Sequence, residues 1–122
     1  MILNCLVIGA GGAIGAIMRY LISLIPFSSK TVFPYATFIT NILGALLIGM
    51  VVGLTLQGNH MNDRLALFLR VGICGGFTTF STFALETTNL MSDGKTFVGM
   101  IYVVLSLVLS VVAVMAGEAL VK

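Results

Sequence analysis

The sequence predicts an all-α integral membrane protein: four transmembrane helices in a single domain over residues 1–122, the third helix broken in mid-membrane, and two copies paired as an antiparallel, dual-topology homodimer. Three observations predict the helices and the break, and the balanced loop charges predict the pairing. The chain is 59% hydrophobic and 8% charged, whereas an ordinary soluble domain carries about 25% charged residues. Its apolar residues fall into four stretches, each near the roughly 20 residues a helix needs to cross a bilayer, with short polar breaks between them. One stretch holds a glycine-rich run, "GICGGFTT", that a straight helix would not favour. A soluble helical bundle would carry apolar stripes, not helices apolar all round.

The first span covers residues 3–25. It opens on "MILNCLVIGAGGAIG", which has no charged leader, and more apolar segments follow, so it reads as a span and not as a cleaved signal. Pro26, Ser28, Ser29 and Lys30 end it. The second span, residues 33–56, is stopped by "QGNHMND". The third covers residues 64–91 and the fourth residues 96–121, with "SDGK" between them. Gly11 and Gly15, Gly12 and Ala16, and the line Ala45, Gly49, Gly53 place small residues four apart, which lets backbones approach closely in lipid and supports assembly.

Loop charges give little direction. One side of the membrane would carry Arg64 and Lys122, the other Lys30 and Lys95. Positive residues normally mark the cytoplasmic side, and two against two leaves almost no bias. Copies inserted both ways up could pair, recreating with two chains the inverted repeat of larger transporters. Alternatively, Arg70 and the terminal amine fix one orientation.

A polar side chain in hydrocarbon is costly and faces protein or a water-filled cavity. Arg19, late in the first span, either snorkels to the interface or helps hold an anion at a pore mouth. Asn41 shares a helical face with Thr37. It is either interhelical glue worth about 1 kcal/mol or a neutral N–H donor to a passing anion. Tyr102, Ser106 and Ser110 recur every four residues on the fourth span and form a hydroxyl stripe.

The third span is the most unusual. Gly72, Gly75 and Gly76 each weaken a helix by about 1 kcal/mol, and with Thr78 and Thr79 after them they predict a helix break. Unwound backbone at bilayer depth is tolerated only inside protein or beside a cavity. Counted at helical spacing, Phe77, Phe80 and Phe83 follow one side, while Thr78, Thr82 and Glu86 follow the adjacent one, flanked by Thr79 and Ser81. Ring edges carry positive quadrupole character. Aimed into a narrow path, they would touch a small anion without a full charge that traps it.

Several classes are excluded. A net charge of +2 with no basic run points away from nucleic acid. Cys5 and Cys74 sit in apolar stretches and read as small buried hydrophobes. No nucleotide motif or catalytic constellation is present, so no enzyme activity is expected.

These segments resemble the Fluc (CrcB) fluoride channel family across the whole chain: "GGAIGAIMRY" at residues 11–20, "TFITNILGALLIG" at residues 37–49, and above all "GGFTTFSTFALE" at residues 75–86. The resemblance implies an antiparallel homodimer with two pores, each taking helices from both subunits. It implies that Phe80 and Phe83 form the family's Phe box and that Asn41 is its pore asparagine. Ser81, Thr82, Tyr102, Ser106 and Ser110 would form the polar track, Glu86 the pore-lining carboxylate, and Arg19 the first-span arginine. A structural Na+ at the dimer interface would be held by the carbonyls of Gly75 and Thr78. The implied role is passive export of fluoride through the inner membrane of a prokaryote, conferring fluoride resistance. HF enters uncharged and dissociates, and the trapped anion leaves down an inside-negative potential.

A small proton-coupled multidrug-type antiporter is the main alternative. It shares four spans and dual topology but needs a membrane-embedded acid, for which Glu86 is the single mid-span candidate. A non-conducting accessory subunit is a weaker alternative, since it would have no use for hydroxyls beside aromatic rings.

Overall fold

Long apolar runs make the helices, and proline, glycine and short polar caps end them. The computed structural model describes residues 1–27, 32–58 and 61–122. Ser28, Ser29 and Lys30, read as the end of the first span, lie outside the described residues, as do Asn59 and His60 of the break after the second. Helix α1 (Ile2–Ser23) closes at Leu24, shortly before Pro26, which has no N–H to continue it. Helix α2 (Tyr35–Leu56) starts after Pro34 and gives way to a left-handed turn at Gly58, φ 77°. Gly94, also at φ 77°, lets the chain reverse into α6 (Thr96–Leu120).

The third membrane-length run, Asp63–Ser92, is composite. Asn62 caps α3 (Asp63–Leu67) by accepting the Arg64 N–H at 2.8 Å. A wide π-helical segment follows at Phe68–Cys74, then one α turn, α4 (Gly75–Phe77). Thr78 (φ −81°, ψ 157°) and Thr79 (φ −149°, ψ 121°) are extended. Helix α5 (Phe80–Ser92) resumes beyond them. Gly72, Gly75 and Gly76 therefore lie in helical turns, and the residues that leave helical geometry are the two threonines. Four helical runs are long and apolar enough to span a membrane, and the described residues contain no strand.

The glycines serve close approach instead. A Cβ on Gly72 would stand 2.9 Å from the Gly11 Cα, and one on Gly76 would stand 2.5 Å from the Gly12 carbonyl oxygen. So α1 lies with its backbone against the π segment and α4, its Gly11 and Gly15 buried there. Helices α2 and α6 form the other extensive pair, where Gly49 backs onto the Val114 carbonyl and Gly117 onto that of Leu46. This corrects the reading of the small-residue lines as surfaces for assembly. Gly11, Gly15, Gly49 and Gly53 are buried within one chain. Lipid tails supply no hydrophobic drive between helices, so van der Waals contact between bare backbones has to hold these pairs.

Candidate anion site around two extended threonines

Two extended residues between α4 and α5 leave backbone groups without helical partners, and in an apolar setting each unpaired group costs several kcal/mol. Asn41 on α2 meets this need. Its Nδ2 donates to the Thr79 carbonyl at 3.0 Å and its Oδ1 accepts the Thr79 N–H at 2.8 Å. An asparagine amide has both a donor and an acceptor side, so it pairs with an extended residue as a neighbouring strand would. One amide N–H remains. Thr79 also caps α5, its Oγ1 accepting the Thr82 N–H at 3.2 Å. Thr78 turns its hydroxyl back onto the Cys74 carbonyl at 2.9 Å.

These bonds redirect two donors. In a continuous helix the Gly75 carbonyl would receive the Thr79 N–H and the Thr78 carbonyl the Thr82 N–H. The first goes to Asn41 and the second to the Thr79 hydroxyl. Both carbonyls lose their regular partners. Arg19 is half-buried. Its Nε donates to the Gly76 carbonyl at 3.3 Å.

A cavity of about 410 Å³ opens beside the threonines, lined by Asn41, Thr78, Phe80, Phe83, Ser106 and Ser110 among apolar neighbours. It is roomy enough for water or a small ion. Ser106 is 6% exposed, and among the described residues its Oγ is the buried side-chain polar atom with no hydrogen-bond partner. The Phe80 and Phe83 centroids are 5.6 Å apart. Phe83 is 7% exposed and Phe80 74%, so one ring is seated and the other is largely exposed beside it.

Arg19 and Thr82 line a second cavity of about 320 Å³, with Thr37, Thr40 and Thr79. Thr79 borders both cavities. Glu86 and Tyr102 line neither of them. The Glu86 carboxylate accepts the Thr37 hydroxyl at 3.0 Å and the Tyr102 hydroxyl at 2.9 Å, and it borders a third hollow with Asp93 and Lys95. Ser81 is exposed and lines none of these three spaces. The continuous faces expected along residues 77–86 do not form, because the extended threonines reset the helical count. Phe77 is buried in α4 apart from Phe80 and Phe83, and Thr78 is not on the helix that carries Thr82 and Glu86.

The sequence leaves Thr40 unmarked and gives Thr37 and Thr79 lesser parts than they play. Thr40 is 1% exposed and lines the second cavity, and its spacing with Thr37 and Asn41 was visible. Thr79 was treated as a flanking hydroxyl, although threonine is a preferred helix cap. Thr37 was paired with Asn41 and not with Glu86, 49 positions away.

A family model described as "CrcB-like protein, Camphor Resistance (CrcB)" matches residues 6–118. Curated proteins similar to this chain include the fluoride-specific ion channel FluC of Ruminiclostridium cellulolyticum, 46% identical over 121 residues, covering 98% of this chain and 93% of the relative. The FluC of Chlorobaculum tepidum is 44% identical over 120 residues, covering 98% and 94%. That of Clostridium perfringens is 41% identical over 124 residues, covering 99% and 95%.

Proposed function

The chain belongs to the CrcB-like family, and from that membership we propose that it is a fluoride-specific ion channel carrying fluoride passively out of the cell, without enzymatic activity. The observation that carries this reading is the near-full-length similarity to proteins named fluoride-specific ion channels. The cavity beside Thr78 supports it chemically. Fluoride is small and strongly hydrated, and to enter it must exchange water for other donors without being trapped. The spare Asn41 N–H, the unpaired Ser106 hydroxyl, Ser110 and the edges of Phe80 and Phe83 are neutral donors of that kind. In this reading Arg19 and Thr82 line an approach to Thr79, and Glu86, held by the Tyr102 hydroxyl, borders a neighbouring hollow. Ser81 takes its place only where a second chain covers it.

The finer architecture is part of the proposal. Residues 78–79 are the sixteenth and seventeenth of the 30-residue run Asp63–Ser92, which supports a break at mid-bilayer. The exposed Phe80 ring and the balanced loop charges support an antiparallel, dual-topology homodimer in a prokaryotic inner membrane. The Gly75 and Thr78 carbonyls, relieved of their helical donors, fit a hard cation such as Na+, which takes oxygen ligands at helix interruptions. Bound there, the ion would add fixed positive charge and hold the two carbonyls together. Labelling a cysteine at position 95 from each side tests the topology: dual insertion gives partial labelling from both sides, and complete labelling from one side rejects it.

The function is tested in liposomes with a fluoride electrode. The purified chain should release trapped fluoride, with or without a proton gradient, when charge is balanced by an ionophore. Release that requires the proton gradient would make it an antiporter, and no release would end the channel reading.

A further inference from the structure

Tyr102 is 0% exposed, and its hydroxyl is committed to Glu86. A phenol ring so completely enclosed on α6 must be walled from several directions, and part of the wall is not helical. Phe33 lies two positions ahead of α2, where its carbonyl accepts the Tyr35 N–H at 2.9 Å. Its ring meets Tyr102 edge-on, with centroids 5.4 Å apart and planes at 78°. Phe83 meets the same ring at 5.1 Å and 62°. Phe33 also touches Tyr35 at 4.9 Å and Phe38 at 5.2 Å, and Tyr35 reaches Phe27 at 6.2 Å. The rings run without a gap from Phe27, beyond the end of α1, through Tyr35, Phe33, Tyr102 and Phe83 to Phe80 at the cavity. Pro34 follows Phe33, and the residue before a proline is held to extended backbone. The backbone that carries the Phe33 ring is therefore restricted on its α2 side.

We propose that Phe33 is a positioning residue for conduction: it seats the Tyr102 ring, and through that ring it sets both the Tyr102–Glu86 hydrogen bond and the lie of Phe83 at the cavity. Phe33, two positions ahead of α2, then supports the anion path from outside it. The proposal rests on the channel reading for its consequence. Its mechanism is steric. An interior ring that loses one wall gains a void, and a gap of even a fraction of an ångström forfeits much of the contact that fixed its rotamer. Tyr102 would then tilt, lengthening its bond to Glu86 and giving Phe83 room to move.

The test uses full-length protein in lipid nanodiscs with its three tyrosines replaced by meta-fluorotyrosine and read by fluorine NMR. Tyr102→Phe identifies the Tyr102 signal. In the parent, Glu86→Gln should shift that signal. In Phe33→Leu the signal itself should move, and its response to Glu86→Gln should fall by about half or more. In liposomes, Phe33→Leu should slow fluoride release by roughly tenfold, the scale of coupling between contacting residues. Added to Tyr102→Leu, which removes the ring through which Phe33 acts, it should slow release no further. An unchanged Tyr102 signal with an unchanged Glu86 response would overturn the proposal, as would losses that multiply in the double variant. Phe33→Met replaces Phe33→Leu if the latter does not fold. A parent that releases no fluoride would defeat the channel reading alone, because the NMR comparison still judges whether Phe33 seats Tyr102.

Discussion

The two halves of the third span do opposite jobs with opposite materials. Before residue 78 the run from α3 to α4 turns bare backbone towards α1, with Gly72 and Gly76 lying against Gly11 and Gly12. After residue 79, α5 presents Phe83, Thr82 and Glu86 to cavities and to polar partners on other helices. Lipid-embedded helices hold still by close backbone contact, and they stay hospitable to water or ions where polar side chains face a hollow. One run of chain carries both, and Asn41 fastens the point where they meet. Damage to the first half should therefore cost folding, and damage to the second should cost flux.

Gly76→Val should break the comparison at its anchor. The new Cβ would meet the Gly12 backbone, which has no side chain to move aside. Overpacking of this kind costs about 1–3 kcal/mol and occasionally more. Folded yield by size-exclusion chromatography should collapse, and normal yield would show that α1 can simply shift. Asn41→Asp acts at the junction. The acid keeps the acceptor for the Thr79 N–H but loses the donor to the Thr79 carbonyl and brings negative charge to the cavity. Fluoride release should become undetectable while folded protein is still recovered. Release at the parent rate would return Asn41 to a packing role.

Phe80→Ile tests the second half alone. The ring is largely exposed within its chain, so the fold of the single chain should be unaffected, while release should drop by about tenfold, the equivalent of about 1.4 kcal/mol on the barrier. A melting temperature that falls with unchanged release would reverse the assignment. Ser106→Ala should not cost folding. Removing a buried hydroxyl that has no partner relieves its desolvation cost, so stability should hold or rise by up to about 1 kcal/mol. Release should still decrease, because a donor is gone. A clear loss of stability would mean that Ser106 is bonded in the folded protein.

The spans were readable because each is a long apolar run, and Asn41 and Glu86 stood out because such side chains are rare in hydrocarbon. What they bond to was not readable. Asn41 pairs with the backbone of Thr79, and backbone groups leave no mark on a residue's identity. Thr37 and Glu86 are distant in sequence and meet only once α2 and α5 are side by side. The expected faces along residues 77–86 failed for a specific reason: a helical count was carried through two residues that are not helical. The glycines were read for their weakness in a helix, when their lack of a side chain was what α1 required. Nothing in "FLRVGIC" announced a π segment, whose wide turns depend on what lies against them.

That π segment has a consequence for how chain length can vary. A π turn closes over five residues where an α turn closes over four, so Phe68–Cys74 stores an extra residue within a helix whose flanks stay aligned. A deletion there can be absorbed by tightening one turn to α geometry. The same deletion in α5 has no slack to draw on, and it would swing every later side chain by about 100° around the axis, carrying Glu86 away from Thr37 and Tyr102. Single-residue gaps between related chains should therefore gather before position 75 and be absent from positions 80–86.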